Sequence, residues 1–319
     1  MLIWLSELNG PWHPYFYVLH YVSTRLFLAM MLSYAFTIWA IPLWKRFMQT
    51  LQWTQIIYED GPKSHQKKTG TPTMGGLVIT LSVLLVSCLC VEFNNHYILP
   101  IIFLMLSFSL IGGLDDGLKI YRQHNRGLTA KQKFILQCMF GLCFGFLLWY
   151  NASKPEELSI FLPFIKELHW HLGLWFIPFA LLVTVSSSNA VNLSDGLDGL
   201  AVGMIIIILG AFIIFTYLTG HRVFAHYLHI PYLPGASELS IFCAALMGSC
   251  IGFLWYNTFP AEVFMGDVGA LSLGAILGGI ALMIHQEFAF VLMSGVFVLE
   301  TVSVILQVYS FKLRKKRIF

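Results

Sequence analysis

The chain consists of long apolar runs separated by short polar connections. A helix that crosses a bilayer needs about 20 mostly apolar residues, and nine runs approach that length. They lie at about 18–44, 74–93, 97–114, 132–150, 173–190, 199–219, 238–256, 268–285 and 289–311. The longest connection, about 45–73, is shorter than the roughly 40 residues that a small independent domain needs. The pattern predicts an all-α polytopic membrane bundle, with residues 1–319 forming one transmembrane domain.

Composition excludes a water-soluble protein. Hydrophobic residues make up 57% of the chain and charged residues 11%, whereas a soluble domain carries about 25% charged residues. The mean hydropathy is +0.74. The surplus apolar surface must face lipid, so we expect the bilayer as the environment and no nucleic acid partner.

Basic residues indicate the orientation of the spans. Of the 19 Lys and Arg residues, most lie in the connections after the first, third and ninth runs. Loops rich in Lys and Arg stay in the cytoplasm. This predicts a periplasmic N-terminus and places the even-numbered runs' first residues at the cytoplasmic face.

All the aspartates fall on the predicted cytoplasmic side, whereas the glutamates fall on both sides. A merely solvating role would scatter both acids alike. Any chemistry is therefore expected at the cytoplasmic face, near these aspartates: Asp60, Asp115, Asp116, Asp195, Asp198 and Asp267.

Two adjacent carboxylates, Asp115 and Asp116, follow a pair of glycines near the end of the third run. The C-terminus of a helix is electronegative, so this location is unfavourable for acids. A bound cation explains them better than solvation does. Mg²⁺ uses one or two carboxylates and fills its other positions with water and substrate phosphate.

A second polar motif follows the fifth run. Asn189, Asn192, Asp195 and Asp198 recur every three residues, which places them on one face if the segment is helical. This stripe, which includes Gly196, is suited to binding a polar ligand. The alternative is a turn with capping residues and flexible glycines.

A third motif, residues 257–274, leads into the eighth run. Taken alone, Asp267 is placed to cap the N-terminus of that span. The segment that contains it is, however, the third Asp-Gly-rich loop on the same face of the membrane. Phe264 is suited either to stacking on a base or to anchoring at the membrane interface.

A fourth segment, residues 61–76, combines basic residues, hydroxyls and glycines. Such a segment suits phosphate contact through side chains and backbone N–H groups, although cytoplasmic loops are basic in any case. Glu300 differs from these motifs because it lies within the ninth run. An intramembrane carboxylate is a candidate functional site, and structural hydrogen bonding between helices is the alternative.

Five motifs together resemble the phospho-N-acetylmuramoyl-pentapeptide transferase family of the polyprenyl-phosphate N-acetylhexosamine-1-phosphate transferase superfamily. The resemblance runs from about residue 15 to the end. The motifs are G-T-P-T-M-G-G (70–76), D-D (115–116), N-A-V-N-L-S-D-G-L-D-G-L (189–200), F-M-G-D-V-G-A-L-S-L-G (264–274) and S-V-I-L-Q-V-Y-S-F-K-L-R (303–314).

The resemblance implies an enzyme of the bacterial cytoplasmic membrane that acts in peptidoglycan synthesis. Such enzymes transfer phospho-MurNAc-pentapeptide from its UDP carrier to undecaprenyl phosphate, with Mg²⁺, and produce lipid I and UMP. A homodimer is compatible with the resemblance. The family has ten spans and a histidine-bearing loop after the ninth, and the sequence stops at Phe319. We therefore expect a domain that is short at its C-terminus relative to the family.

The resemblance also implies roles for individual residues. The catalytic acids are Asp115, Asp116 and Asp267, of which Asp116 and Asp267 bind metal. The positions implied in nucleotide and substrate binding are Lys68, Thr73, Lys119, Lys131, Asn189, Asn192, Asp195, Gly196, Asp198, Asn257 and Phe264.

Three alternatives remain open from the sequence. One is a related enzyme that uses UDP-GlcNAc, although the motifs at 70–76 and 303–314 point away from it. Another is a transporter, which would favour ionisable groups near the bilayer midplane and internal repeats. The last is an inactive membrane scaffold.

Overall fold

The fold is a bundle of α-helices. The computed structural model describes residues 17–51, 71–122, 127–152, 155–161 and 169–314. The α-helices in these ranges are α1 (Val22–Thr50), α2 (Gly76–Cys90), α3 (Ile98–Tyr121), α4 (Ala130–Asn151), α5 (Phe176–Ser194), α6 (Leu200–Gly220), α7 (Arg222–Leu228), α8 (Ser237–Asn257), α9 (Gly266–Met283), α10 (Glu287–Met293) and α11 (Gly295–Arg314).

The prediction of an all-α polytopic membrane bundle is confirmed. In the part of the chain that the structure describes, 8 helices are long and apolar enough to cross a membrane. The predicted second span corresponds to α2, which has 15 residues and is shorter than these. The predicted ninth span is divided at Ser294 into α10 and α11. Gly295 follows the break, and glycine has a low helix propensity.

A short antiparallel hairpin, which the hydrophobic pattern did not predict, lies between α4 and α5. Its strands are β1 (Ser159–Phe161) and β2 (His169–His171), and Ile160 pairs with Trp170.

Helix α9 lies at the centre of the bundle, and every residue from 268 to 283 is buried. It packs against α3 and α5. A Cβ on Gly274 would lie 2.6 Å from the carbonyl oxygen of Ser187 in α5, and one on Gly279 would lie 2.6 Å from Leu104 in α3. Small residues of this kind let membrane helices approach closely. The close packing holds the N-terminus of α9 beside the C-terminal end of α3.

Arg25, a charge within the first predicted span, is buried in an ion pair with Glu238 of α8. Arg25 Nη2 lies 2.6 Å from Glu238 Oε1, and Nη1 donates to Oε2 at 2.9 Å. Nη1 also donates to the Cys90 carbonyl at 3.0 Å, and Glu238 accepts from the Glu92 amide at 3.0 Å. The pair therefore connects α1, α8 and the end of α2.

Replacing Arg25 alone should destabilise the bundle, because it leaves the Glu238 carboxylate buried and unpaired. We expect Arg25→Leu to lower the free energy of unfolding by about 3–5 kcal/mol, and the double variant Arg25→Leu/Glu238→Leu to recover most of that loss. Denaturant unfolding of the purified protein in detergent measures both. A double variant as unstable as the single one would show that the pair does not carry this energy.

Candidate active site

Three carboxylates from distant parts of the chain meet at one end of the bundle. Asp115 and Asp116 lie near the C-terminal end of α3 and are 4% and 5% exposed. Asp267 is the second residue of α9. One ligand atom from each carboxylate lies within 4.8 Å of the others. We call Asp115, Asp116 and Asp267 the acid cluster.

Asp267 does not cap α9 as the sequence suggested. The N-cap position is Met265, which makes no side-chain cap hydrogen bond, and the carboxylate of Asp267 contacts two lysines instead. Its place in the first turn still puts a negative charge at the positive end of the helix dipole.

Glycines allow the two helices to meet at the acid cluster. A Cβ on Gly112 of α3 would overlap the backbone carbonyl of Asp267. The backbones of α3 and α9 are therefore in direct contact at Asp267. Gly266 has a φ of +74°, and a Cβ there would lie 2.6 Å from Asp116 Oδ2. The Val268 amide donates to the same oxygen at 3.3 Å. The backbone of α9 therefore orients Asp116.

The adjacent glycines of α3 give a matched test of this contact. Gly112→Ala should separate α3 from α9 at Asp267 and lower the activity that the family resemblance implies at least ~10-fold, since small displacements of reacting groups are costly. A Cβ on Gly113 would meet only Val268 Cγ2 at 3.9 Å. Gly113→Ala should therefore retain activity within about 2-fold, because the added methyl group displaces neither helix. Equal turnover of the two variants with the substrates that the resemblance implies would refute the importance of this contact.

Two lysines neutralise the acid cluster in part. Lys119 Nζ lies 2.6 Å from Asp115 Oδ2, 3.3 Å from Asp116 Oδ1 and 3.1 Å from Asp267 Oδ2. Lys133 Nζ lies 2.8 Å from Asp267 Oδ2. Lys131, which the resemblance placed around the substrate, is exposed. Lys133 was not among the residues predicted for the site, although it lies two residues after Lys131 in the same basic loop.

The segment 71–76 is joined to the acid cluster through backbone hydrogen bonds. The Phe264 amide donates to the Pro72 carbonyl, and the amides of Gly75 and Gly76 donate to the carbonyls of Phe264 and Met265, all at 2.9 Å. A Cβ on Gly266 would lie 3.0 Å from Thr73 Oγ1. Thr73 therefore lies beside the acid cluster. Phe264, three residues before Asp267, is half-buried. Lys68 and Asp60 lie outside the described residues.

The motif after the fifth run is only partly helical, because α5 ends at Ser194. Asn189 is engaged within the bundle: its Nδ2 donates to Gln137 Oε1 at 2.9 Å and to the Val185 carbonyl at 2.8 Å. Asn192 is half-buried and Gly196 is exposed. The motif therefore divides into a helix-packing part and a loop part.

Asp195 follows the end of α5 and lies in the electrostatic field of the acid cluster. Desolvation raises the pKa of its carboxyl well above the usual value, and the negative charges of Asp267 and Asp116 raise that pKa further. A cation bound at the acid cluster would oppose both charges.

Asn257 and Asp198 organise the loops beside the acid cluster. Asn257 Oδ1 accepts from the Gly199 amide at 3.0 Å, and its Nδ2 donates to the Val263 carbonyl at 2.9 Å. Asp198 Oδ2 accepts from the Ala261 amide at 3.2 Å. These bonds hold the loop after α5 against the loop before α9.

Glu300 belongs to α11, which packs against α5 at the edge of the bundle. It is half-buried, and its Oε2 is buried with no hydrogen-bond partner among the described residues. Glu300 is not a member of the acid cluster.

The donor atoms of the acid cluster suit a hard divalent cation. Mg²⁺ prefers carboxylate oxygens and retains open positions for water and phosphate, and the cluster offers oxygen ligands from three closely spaced carboxylates. A comparison with known protein families gives an independent finding. The family model described as "Glycosyl transferase family 4" matches residues 98–285, which is more than half of the 319 residues and includes the whole acid cluster.

Proposed function

Because the chain belongs to glycosyl transferase family 4, whose members transfer a sugar phosphate from a nucleotide sugar to a polyprenyl phosphate, we propose a specific reaction for it. The enzyme transfers phospho-MurNAc-pentapeptide from UDP-MurNAc-pentapeptide to undecaprenyl phosphate, yielding lipid I and UMP. The observation that carries the proposal is the acid cluster at one end of the membrane bundle. The motifs at 70–76 and 303–314 favour this substrate over UDP-GlcNAc.

The location of the site fits a reaction between a lipid and a soluble substrate. The phosphate of the acceptor is confined to the membrane surface, and the nucleotide sugar comes from solution. Both can reach the acid cluster only if it faces the compartment that supplies the nucleotide sugar. The distribution of basic residues supports the cytoplasmic face of the bacterial cytoplasmic membrane.

Asp116 and Asp267 would hold Mg²⁺, with Asp115 beside them. When bound, this ion would supply charge neutralisation for the diphosphate and the leaving UMP. Lys119 and Lys133 already contact these carboxylates, and we propose that they move onto the phosphates of the substrate when it binds. Thr73 lies beside the acid cluster and Asp195 lies in its electrostatic field. We propose that both, together with Asn192, contact the nucleotide sugar.

The transfer itself is a single displacement at phosphorus. An oxygen of the lipid phosphate attacks the phosphorus that is bonded to the sugar, and the bond from that phosphorus to the UMP oxygen breaks. The second pKa of a phosphate monoester is about 6, so most of the nucleophile is already deprotonated at pH 7. A general base is therefore helpful at most, and Asp115 is the candidate for it. Isolation of a phosphorylated Asp267 would contradict this single-step route.

Purified enzyme supplied with undecaprenyl phosphate and Mg²⁺ tests the substrate. With UDP-MurNAc-pentapeptide we expect UMP and a lipid that carries the muropeptide, and with UDP-GlcNAc we expect no lipid product. A lipid product from UDP-GlcNAc alone would assign the chain to the related activity. No product from either donor would favour the scaffold or transporter alternatives.

A further inference from the structure

The N-terminal segment of α4 touches two members of the acid cluster, and we call residues 127–133 the α4 clamp. The Leu128 amide donates to Asp115 Oδ1 at 2.7 Å. Five residues later, in the first part of α4, Lys133 Nζ donates to Asp267 Oδ2 at 2.8 Å. The α4 clamp therefore contacts both Asp115 of α3 and Asp267 of α9.

A capping box fixes the shape of the α4 clamp. The Gln132 amide donates to Thr129 Oγ1 at 3.3 Å, and the Thr129 amide donates to Gln132 Oε1 at 3.0 Å. This reciprocal pair satisfies two of the amides that are otherwise unpaired at a helix N-terminus. The capping box therefore holds the backbone of the clamp in a defined conformation, in which it can orient the Asp115 carboxylate.

The contact with Asp115 is too close for any side chain at position 127. A Cβ on Gly127 would overlap Asp115 Oδ1 and would lie 2.8 Å from Asp115 Cγ. The backbone at Gly127 is therefore packed directly against the Asp115 carboxylate, and Asp115 is 4% exposed.

The amide of Leu128 selects which oxygen of Asp115 faces the acid cluster. With Oδ1 held by the amide, Oδ2 is directed to Lys119 Nζ at 2.6 Å. Without the amide, rotation about χ2 would exchange the two oxygens, because this torsion of aspartate is broad. The carboxylate is therefore fixed in one orientation by backbone that lies outside the motifs of the family resemblance.

We propose that Gly127 and the Leu128 amide are positioning residues for sugar-phosphate transfer, and that they act by orienting Asp115 toward the reacting groups. The inference rests on the proposed function. It separates the role of Asp115 from metal binding by Asp116 and Asp267, because the amide contacts neither of those carboxylates.

Two matched pairs of variants test the proposal. Gly127→Ala displaces Asp115, whereas Gly117→Ala adds a methyl group to a position of α3 with nothing within 4 Å. Leu128→Pro removes the amide donor, whereas Leu128→Ala keeps that donor and removes only side-chain packing. Circular dichroism and thermal unfolding in detergent identify any variant that fails to fold.

The expected result is a change in kcat without a change in metal binding. We expect Gly127→Ala and Leu128→Pro to lower kcat roughly 10-fold, because the nucleophile is already mostly deprotonated and Asp115 only assists it. The KM for the nucleotide sugar should change less than about 3-fold, as expected when an interaction made only in the transition state is lost. The affinity for Mn²⁺, measured by electron paramagnetic resonance without substrates, should equal that of the wild type.

Two results would overturn the inference while leaving the proposed function intact: equal kcat values for Gly127→Ala and Gly117→Ala, or a parallel loss of Mn²⁺ binding. The second would show that the clamp merely supports the acid cluster. A wild-type enzyme that binds Mn²⁺ but releases no UMP from either nucleotide sugar would instead refute the proposed function, and the inference with it.

Discussion

Replacing Asp267 or Asp116 by asparagine is expected to abolish Mg²⁺-dependent transfer, with kcat lowered by about three orders of magnitude or more, the scale on which removal of electrostatic stabilisation acts in a desolvated site. Asparagine keeps the shape of the side chain and removes its charge. In Asp267→Asn, the ammonium groups of Lys119 and Lys133 lose the carboxylate oxygen that they share at 3.1 and 2.8 Å. In Asp116→Asn, the carboxylate that the Val268 amide orients is lost.

The matched control for these variants is Glu262→Gln. Glu262 lies five residues before Asp267 and pairs with Lys45 at 2.8 Å, but its side chain is 55% exposed. An exposed pair of this kind contributes little, so we expect activity within about 2-fold of the wild type. Near-normal turnover by Asp116→Asn or Asp267→Asn, measured as UMP release, would refute the roles proposed for the acid cluster.

Lys133→Met should lower kcat roughly 100-fold, whereas Lys131→Met should change it less than about 3-fold. Lys133 contacts Asp267 and is half-buried, and Lys131 is exposed. Without the Lys133 ammonium group, Asp267 loses one of its two cationic partners and the substrate loses a group that would bind its phosphates.

The conservative variant Lys133→Arg distinguishes charge from geometry. A guanidinium keeps the charge but is planar and larger than an ammonium group, so we expect partial activity between those of the wild type and Lys133→Met. Equal losses in Lys131→Met and Lys133→Met would contradict the assignment, because a general effect of loop charge would then explain both.

The difference between Lys131 and Lys133 shows where sequence reasoning reached its limit. Both lie in one basic loop, and hydropathy cannot distinguish them. In the helix they are about 200° apart around the axis, so only one can face Asp267. The rotation of α4 is fixed by its capping box and by its packing against α5 and α3.

The convergence of the aspartates was more accessible to prediction. The alternation of spans places the ends of odd-numbered runs and the beginnings of even-numbered runs on one side. The alternation therefore predicts that Asp115, Asp116 and Asp267 share one face. In the structure, one ligand atom from each lies within 4.8 Å of the others. The distances depend on Gly112 and Gly266, whose close contacts have no signature in the hydrophobic pattern.

Buried polar pairs were the least predictable feature. Arg25 pairs with Glu238, which is 213 residues away in the sequence. Asn189 is hydrogen-bonded to Gln137, which is 52 residues away. Nothing local marks either partner, because the pairing depends on which helices are neighbours. The sequence predicted that Asn189 belongs to a ligand-binding stripe. In the structure, its side-chain amide donates to Gln137 and Val185 within the bundle, so that this group is already occupied.

The most direct test of the central claim follows the two phosphorus atoms of UDP-MurNAc-pentapeptide, each labelled separately with radioactive phosphorus. With wild-type enzyme, undecaprenyl phosphate and Mg²⁺, the label next to the sugar should appear in the lipid, and the label next to uridine should appear in UMP. Neither label should move with Asp267→Asn. Release of both labels together as UDP, or transfer that persists in Asp267→Asn, would contradict sugar-phosphate transfer at the acid cluster.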